Sequence, residues 1–140
     1  MIVTQQDILD GFITFNEKYF NGELAIPKTK VNNSYKHIGR FYCRFDRRGR
    51  VIKPTIEMSK CYDFTKKQFR DILVHEMIHY YLMWSGEDIY GTHGVAFLKT
   101  AELFNEKYKL NITPTIDMTS YVLSPGKTLF MYKLRMMMPF

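Results

Sequence analysis

The stretch Leu73-Val74-His75-Glu76-Met77-Ile78-His79-Tyr80 contains an H-E-x-x-H motif inside a run that predicts a helix. Side chains at positions i and i+4 of a helix lie one above the other, so His75 and His79 can share one metal ion. Glu76 is displaced around the helix, where it can contact a water rather than occupy a metal position. The motif therefore predicts two zinc ligands and, in Glu76, a catalytic base.

Apolar residues surround the motif in nearly every direction around the helix, which predicts that the helix is buried on most sides. These residues are Phe69, Ile72, Leu73, Val74, Met77, Ile78, Tyr80, Tyr81, Leu82 and Trp84. Buried histidines and a buried glutamate need partners because an unpaired buried charge is costly, and a metal ion satisfies all three. The alternative is a core helix whose histidines donate to backbone carbonyls while Glu76 pairs with an arginine such as Arg70.

His93 is the candidate for the third ligand, since it is the one histidine that follows His79. A polar, glycine-bearing turn separates them and lets the chain double back. His93 then precedes a predicted helix over roughly Val95 to Tyr108, whose apolar stripe fixes its orientation. One Zn²⁺ per chain is expected. Glu87 or Asp88 could replace His93 and give a two-histidine, one-carboxylate site.

The chain as a whole predicts one domain, residues 1–140, with a core at about 5–110 and a tail at 111–140. It has 140 residues, of which 46% are apolar, and a mass of 16.7 kDa. No basic leader pattern and no membrane-length apolar run appear, so we expect a cytoplasmic protein without a membrane partner. Cys43 and Cys61 have neither C-x-x-C spacing nor a disulfide pattern and are interpreted as free thiols.

Positive charge is concentrated in the first half of the chain. Residues 1–70 hold fourteen Lys and Arg against seven Asp and Glu, a balance of +7, whereas residues 71–140 hold six against seven, a balance of −1. A dense basic cluster interleaved with aromatics could follow a phosphate backbone and stack unpaired bases. Its members are Lys36, Arg40, Arg44, Arg47, Arg48, Arg50 and Lys53. The alternative is a solvated hairpin whose aromatic side chains face the core.

The periodicity along the chain predicts an α+β fold. A first helix is capped by Thr4 and ends at Asn21-Gly22. Residues 38–45 and 51–58 predict a hairpin that forms a small antiparallel sheet with a strand around Val31. Residues 61–64 are interpreted as a polar link to the metal helix, which runs from near Thr65 to near Ser85-Gly86. The tail, residues 112–134, predicts a second hairpin.

Taken together, these residues resemble the SprT-like (Spartan-type) metalloprotease domain over about residues 5–110. The resemblance is carried by six groups of residues: Phe15-Asn16, Tyr19-Phe20-Asn21-Gly22, Leu24 and Pro27, Gly39, Leu73-x-His75-Glu76-Met77-Ile78-His79, and His93-Gly94-x-x-Phe97. It implies a small zincin-like domain with His75, His79 and His93 as zinc ligands and Glu76 as general base. It also implies a protein substrate, in better-studied relatives often bound or crosslinked to DNA. Many members continue into a cysteine-bearing zinc ribbon, but no Cys or His follows Met118 in this sequence.

The function expected from the sequence is hydrolysis of peptide bonds by a zinc endopeptidase, with DNA as a further candidate partner. Tyr80, Tyr81 and Tyr90 are candidates for stabilising the oxyanion, and the substrate strand could pair with a sheet edge. One alternative is a non-catalytic nucleic-acid-binding module with a structural zinc. Another is a zinc amidase or peptidase for a small substrate, which needs a closed pocket. The sequence does not define an oligomeric state.

Overall fold

The computed structural model describes residues 1–127 and 129–137. In chain order the elements are α1 (Gln5–Phe20), β1 (Lys28–Asn32), β2 (Gly39–Phe45), β3 (Val51–Ser59), β4 (Tyr62–Asp63), α2 (Lys66–Ser85), α3 (Val95–Tyr108), a 3-10 turn (Met118–Ser120), β5 (Val122–Leu123) and α4 (Leu129–Met137). The chain is therefore a small α+β protein, as predicted.

The first two helices begin and end at the residues that their capping signals predict. The hydroxyl of Thr4 caps α1, and Asn21 ends it in the left-handed conformation with φ 54°. The hydroxyl of Thr65 accepts a hydrogen bond at the start of α2, and Gly86 ends that helix with φ 79°. Side-chain oxygens satisfy backbone donors that a helix leaves free, and glycine adopts positive φ without steric cost. Local chemistry thus fixes the length of the metal helix.

The main sheet has the strand order β1-β3-β2 and is mixed. β2 and β3 form the predicted antiparallel hairpin, with a register shift between Tyr42 and Arg44. β1 pairs with β3 in parallel, so the prediction of an antiparallel sheet is wrong for this pair. In the sheet, β3 lies between β1 and β2. The residue pattern within a strand does not indicate which strands will be its neighbours.

The strands of this sheet alternate between a covered and an open face. Thr29 and Phe41 are buried under α1 and α2, whereas Lys30 and Arg40 are exposed on the opposite side. Phe41 stacks on Tyr80 of α2 with the ring centroids 4.8 Å apart. Because successive side chains of a strand point to opposite faces, one strand supplies both core residues and surface charges.

The core is built around α2, as the sequence predicts. Residues on almost every side of this helix are buried, and Leu73, Val74, Met77 and Ile78 have no exposed surface. α1 and α3 pack against α2 through aromatic residues, among which Phe12 stacks on Tyr80 at 6.3 Å. Burial on this scale removes α2 from water and holds the H-E-x-x-H segment rigidly.

The tail differs from the predicted second hairpin. β5 pairs with β4 through Tyr62 and Leu123, so the segment expected to be a polar link is a strand. Cys61, Tyr62 and Phe64 are buried, which explains why this segment needs a partner. Leu129–Met137 forms α4 and contains none of the β-branched residues that favour strands.

The remaining expectations from the sequence concern the extent of the tail and membrane-spanning helices. Thr128, which the predicted hairpin included, and the last three residues, 138–140, lie outside the described residues. Within the described part of the chain, none of the helices combines the length and the apolar character needed to cross a membrane.

Candidate metal centre

Three imidazoles converge at the surface between α2 and the loop that precedes α3. Nε2 of His93 lies 3.1 Å from Nε2 of His79 and 3.2 Å from Nε2 of His75. Nitrogens bound to a tetrahedral zinc ion at 2.0–2.1 Å lie about 3.3 Å apart. The three histidines therefore form a group that could hold a metal ion, with all ligand atoms within 4.8 Å of one another.

The loop between α2 and α3 brings His93 to the helix. The carboxylate of Asp88 organises this loop, because it accepts hydrogen bonds from the backbone N–H groups of Tyr90 at 3.0 Å and Thr92 at 2.9 Å, and from the Thr92 hydroxyl at 2.6 Å. Asp88 thus uses its oxygens inside the loop. The alternative ligands Glu87 and Asp88 are not part of the histidine group.

Phe97 forms the floor beneath the three imidazoles. Its ring centroid lies 4.7 Å from that of His75, 4.8 Å from that of His79 and 4.9 Å from that of His93. Phe97 follows His93 by one helical turn and is fully buried in α3. This contact covers the rings from below, and the three Nε2 atoms converge on the side away from Phe97.

Each helix-borne imidazole has a different environment at its second nitrogen. Nδ1 of His75 lies 2.9 Å from the carbonyl oxygen of Thr113, so Nδ1 carries the proton and Nε2 has a free lone pair. Nδ1 of His79 is buried and has no hydrogen-bond partner among the described residues. The negative charge of Asp88 acts on His79.

Both helix histidines are neutral at physiological pH. Burial, followed by the nearby His79 and His93, lowers the pKa of His75 to about 3. Burial and then His93 lower the pKa of His79 to about 4, although Asp88 opposes the shift. Metal ions compete with protons for imidazole nitrogen, and here no proton has to be displaced at neutral pH. His75 and His79 are therefore available as neutral nitrogen ligands.

Glu76 lies beside the histidines in a space that β2 encloses. Burial raises the pKa of its carboxyl to about 8, while a hydrogen bond from the backbone N–H of Phe41 acts in the opposite direction. Oε2 of Glu76 lies 3.9 Å from Nε2 of His75. The alternative partner, Arg70, instead contacts Asp71 at 2.9 Å. Glu76 is therefore directed at the histidine group and not at a structural ion pair.

Gly39 makes room for the Glu76 carboxylate. A Cβ at position 39 would lie 2.6 Å from Cγ2 of Ile72 and 3.1 Å from Oε2 of Glu76. Real Cβ atoms do not approach another atom to 2.6 Å, so a residue with a side chain would displace Ile72 and push on the side chain of Glu76. The sequence marks Gly39 as the start of a strand, but the reason for glycine is visible only once β2 is packed on α2.

A cleft of about 270 Å³ opens over the imidazoles, between β2 and the loop that contains Tyr90 and Gly91. Of the three tyrosines considered for an oxyanion, Tyr80 donates to the carbonyl of Ala25 at 2.8 Å and lies in the core. Tyr81 packs on Phe20. Tyr90 lines the cleft, and 84% of its surface is exposed.

The seven basic residues proposed for nucleic-acid contact are all exposed, but they do not form one site. Arg40 lines the metal cleft, and its guanidinium lies 5.0 Å from the ring centroid of Tyr42. Arg44 and Lys53 line a separate groove on the open face of the sheet, together with Lys28 and Lys30. The remaining members lie in loops: Lys36, Arg47, Arg48 and Arg50.

Sequence reasoning missed the residues that hold His75 from behind. Asn105 donates to the carbonyl of Ile112 at 2.9 Å and accepts from its N–H at 2.7 Å, which fixes the segment that presents the Thr113 carbonyl to His75. A backbone carbonyl has no side-chain signature, so no pattern could identify it. An asparagine in the last turn of a predicted helix was the one available signal.

The fold and this site define a small α+β protein with a three-histidine candidate metal centre. The family model described as "SprT-like family" matches residues 8–116. The chain belongs to the SprT-like family, as the resemblance of its motifs implied. The comparison with curated proteins gives no significant match, and neither does the comparison with solved structures.

Proposed function

We propose that this chain is a zinc-dependent endopeptidase that hydrolyses peptide bonds in protein substrates. One observation carries the proposal: three imidazoles converge beside the buried carboxyl of Glu76, under an open cleft, with Nε2 of His93 within 3.2 Å of the Nε2 atoms of His75 and His79. The H-E-x-x-H helix, the edge strand beside it and the following helix are consistent with a zincin-like arrangement. Membership of the SprT-like family supports the same class.

The donor set fits zinc, with His75, His79 and His93 as the residues that would hold it. Bound there, zinc would polarise the scissile carbonyl and lower the pKa of a water molecule. Structural zinc sites have four protein ligands, whereas catalytic sites have three and an open position. The described residues provide a group of three, which favours catalysis over a structural zinc in a nucleic-acid-binding module.

Glu76 is the proposed general base. The N–H of Phe41 holds its carboxyl group at the edge of the histidine group. Burial raises the pKa of this carboxyl to about 8 in the metal-free protein, and a zinc ion bound beside it would lower that pKa, so that the carboxylate could take a proton from the attacking water. The same oxygen can then pass that proton to the leaving amine. Because the packed surroundings already hold the carboxylate in place, it does not have to be reoriented at each turnover.

Tyr90 and the edge of β2 are the proposed substrate-handling elements. The phenol of Tyr90 lines the cleft and can donate to the oxyanion of the tetrahedral intermediate. β2 is an edge strand that runs past Glu76, so an extended substrate could pair with its backbone. Backbone pairing suits a protein substrate. A small-substrate amidase would need a closed pocket, and this cleft lies open.

We also propose that DNA-associated or DNA-crosslinked proteins are among the substrates. The supporting observation is the exposed basic side chains of Arg44 and Lys53, joined on the open sheet face by Lys28 and Lys30. Exposed lysine and arginine side chains bind phosphates with little loss of hydration, and their affinity for DNA falls steeply as the salt concentration rises. This surface is separate from the metal cleft, so a bound strand would not block it.

The test compares wild-type protein with Glu76→Gln on a denatured protein substrate, each loaded with zinc. We expect the wild type to cleave and the variant to retain zinc while its cleavage rate falls about a hundredfold or more. Reactions with and without DNA measure any activation. Cleavage by Glu76→Gln at the wild-type rate would contradict the mechanism. Salt-sensitive DNA binding without cleavage by either protein would favour the non-catalytic alternative.

A further inference from the structure

The loop between α2 and α3, residues 86–94, brings two different side chains to the metal cleft. His93 supplies a candidate metal ligand, and Tyr90 lines the cleft beside it. All residues of this loop lie in the described part of the chain, and each is exposed or half-buried. Three of them are glycines, of which Gly86 and Gly91 have φ values of 79° and 66°. Because core packing covers little of so flexible a segment, its conformation depends on hydrogen bonds.

Asp88 supplies those hydrogen bonds from a position that is tied to α2. Its own N–H donates to the carbonyl oxygen of Leu82 at 3.1 Å. Its Oδ1 accepts from the N–H of Tyr90 at 3.0 Å, and its Oδ2 accepts from the N–H of Thr92 at 2.9 Å and from the Thr92 hydroxyl at 2.6 Å. That hydroxyl accepts in turn from the N–H of Gly94 at 3.3 Å. The residues that flank the third histidine are therefore bound, directly or through Thr92, to one carboxylate.

The same carboxylate also acts on the metal centre through its charge. Burial and then His93 lower the pKa of His79, and the negative charge of Asp88 opposes them. The pKa of Asp88 itself is lowered, mainly by the hydrogen bond from the Thr92 hydroxyl, so this carboxyl is ionised at neutral pH. A carboxylate near a ligating imidazole favours a bound cation. Asp88 thus acts on His93 through the loop and on His79 through space.

We infer that Asp88 is a positioning residue of the metal centre, which raises the affinity for zinc by holding His93 in place and sets the position of Tyr90 at the cleft. Asp88 is not part of the histidine group, and its oxygens are used within the loop. This role replaces the ligand role that the sequence left open for it. The part that concerns Tyr90 rests on the proposed function, whereas the part that concerns zinc requires only the candidate metal centre.

The zinc affinity of wild type and two variants, measured by competition with a chromophoric chelator, tests the part that concerns zinc. Asp88→Asn removes the charge and one acceptor, and we expect zinc to bind about 10- to 100-fold more weakly. Glu87→Gln is the matched control, because it removes the same charge from a neighbouring carboxylate that contacts the Ser85 hydroxyl at 3.4 Å. Its affinity should stay within about twofold of wild type. Wild-type affinity in Asp88→Asn overturns the inference.

Two further measurements distinguish positioning from a loss of the fold. The visible spectrum of bound cobalt(II) depends on the arrangement of its ligands, so Asp88→Asn should move it towards the spectrum of His93→Ala. A wild-type spectrum in Asp88→Asn contradicts the positioning role. If Asp88→Asn does not fold, Thr92→Val decides, because it removes one hydroxyl and keeps the charge. We expect zinc to bind about threefold more weakly to Thr92→Val, and an unchanged affinity overturns the inference.

Cleavage of a denatured protein by zinc-saturated variants tests the part that concerns Tyr90. Asp88→Asn should lower kcat about tenfold with little change in KM. In a Tyr90→Phe background the same change should cost much less, because the donor that Asp88 positions is already missing. An equal cost in both backgrounds overturns this part. Weaker zinc binding by Asp88→Asn together with no cleavage by wild type upholds the metal part and contradicts the proposed enzyme.

Discussion

The two faces of β2 show how one strand serves two different purposes. On the covered face, Gly39 and Phe41 lie against α2 and enclose the Glu76 carboxyl. On the open face, Arg44 remains exposed to solvent. The covered residues act in a medium of low polarity, where small displacements and single charges are costly, whereas the exposed charges are hydrated and screened.

This difference gives the two faces different sensitivities to mutation. Changes on the covered face should alter metal binding, stability and catalysis together, because those properties depend on the same packed groups. Changes on the open face should leave all three intact and affect only contacts with other molecules. Metal removal and mutations on each face therefore test that division.

Metal removal should give the largest change in stability. A ligand at a thousandfold excess over its dissociation constant stabilises the native state by about 4 kcal/mol. For a domain of this size, chelation should therefore lower the melting temperature by about 10 °C. His79→Ala should have the low melting temperature with or without zinc. Calorimetry with and without added zinc checks both, and a wild type indifferent to chelator would contradict the metal site.

Gly39→Ala should destabilise the protein and reduce cleavage. The added Cβ meets Ile72 and Glu76, so we expect a cost of about 1–3 kcal/mol from overpacking and a misplaced base. Gly49→Ala is the control, because no atom lies within 4 Å of its Cβ and its φ of 75° introduces only local strain. Chemical denaturation and a cleavage assay distinguish them. Equal activity in the two variants would show that β2 does not hold Glu76.

The metal-free protein should be most stable near pH 6.5. His75 and His79 have folded-state pKa values lowered to about 3 and about 4, so the unfolded chain binds more protons below pH 6.5 and stability is lost as pH falls. Glu76 has a folded-state pKa raised to about 8, so stability is lost as pH rises from its unfolded value of 4.5 through 8. Two histidines outweigh one glutamate below pH 6.5.

Melting temperatures of chelated protein between pH 5 and pH 8 measure this profile. In Glu76→Gln the decline above pH 6.5 should disappear, because the amide does not titrate. A wild-type melting temperature that keeps rising from pH 6.5 to pH 8 would show that the carboxyl of Glu76 is ionised in the fold.

The smallest effect on stability is expected on the open face. Arg44→Ala with Lys53→Ala should shift the melting temperature by about 1–2 °C. If this surface binds DNA, the logarithm of the affinity should fall linearly with the logarithm of the salt concentration. Each lost phosphate contact should make that slope shallower by about one unit. Lys99→Ala on α3 is the control. Fluorescence anisotropy at several salt concentrations would decide, and unchanged binding by the double variant would exclude this surface.

The elements that were predicted correctly from the sequence carry their signals locally. Thr65 and Gly86 bound α2, and the four-residue spacing of His75 and His79 defines a shared face before any tertiary contact is known. The approach of His93 was also predictable, because a short polar turn has few ways to connect two packed helices. The structure brings these three imidazoles together.

The predictions that failed depended on contacts between distant segments. The parallel pairing of β1 and the pairing of β4 with β5 join strands whose own residues do not specify a partner. Residues 61–64 seemed polar because Asp63 interrupts the buried Cys61, Tyr62 and Phe64. The support of His75 by the carbonyl of Thr113 is a backbone contact and was equally invisible in the sequence.

The most direct test of the central claim is the metal content of wild type and His93→Ala, purified under native conditions and measured side by side by elemental analysis. We predict about one zinc ion per wild-type chain and a loss or marked weakening of binding in the variant. A wild type that contains no zinc and still binds none after reconstitution would contradict the account. The three histidines would then be core residues without a metal.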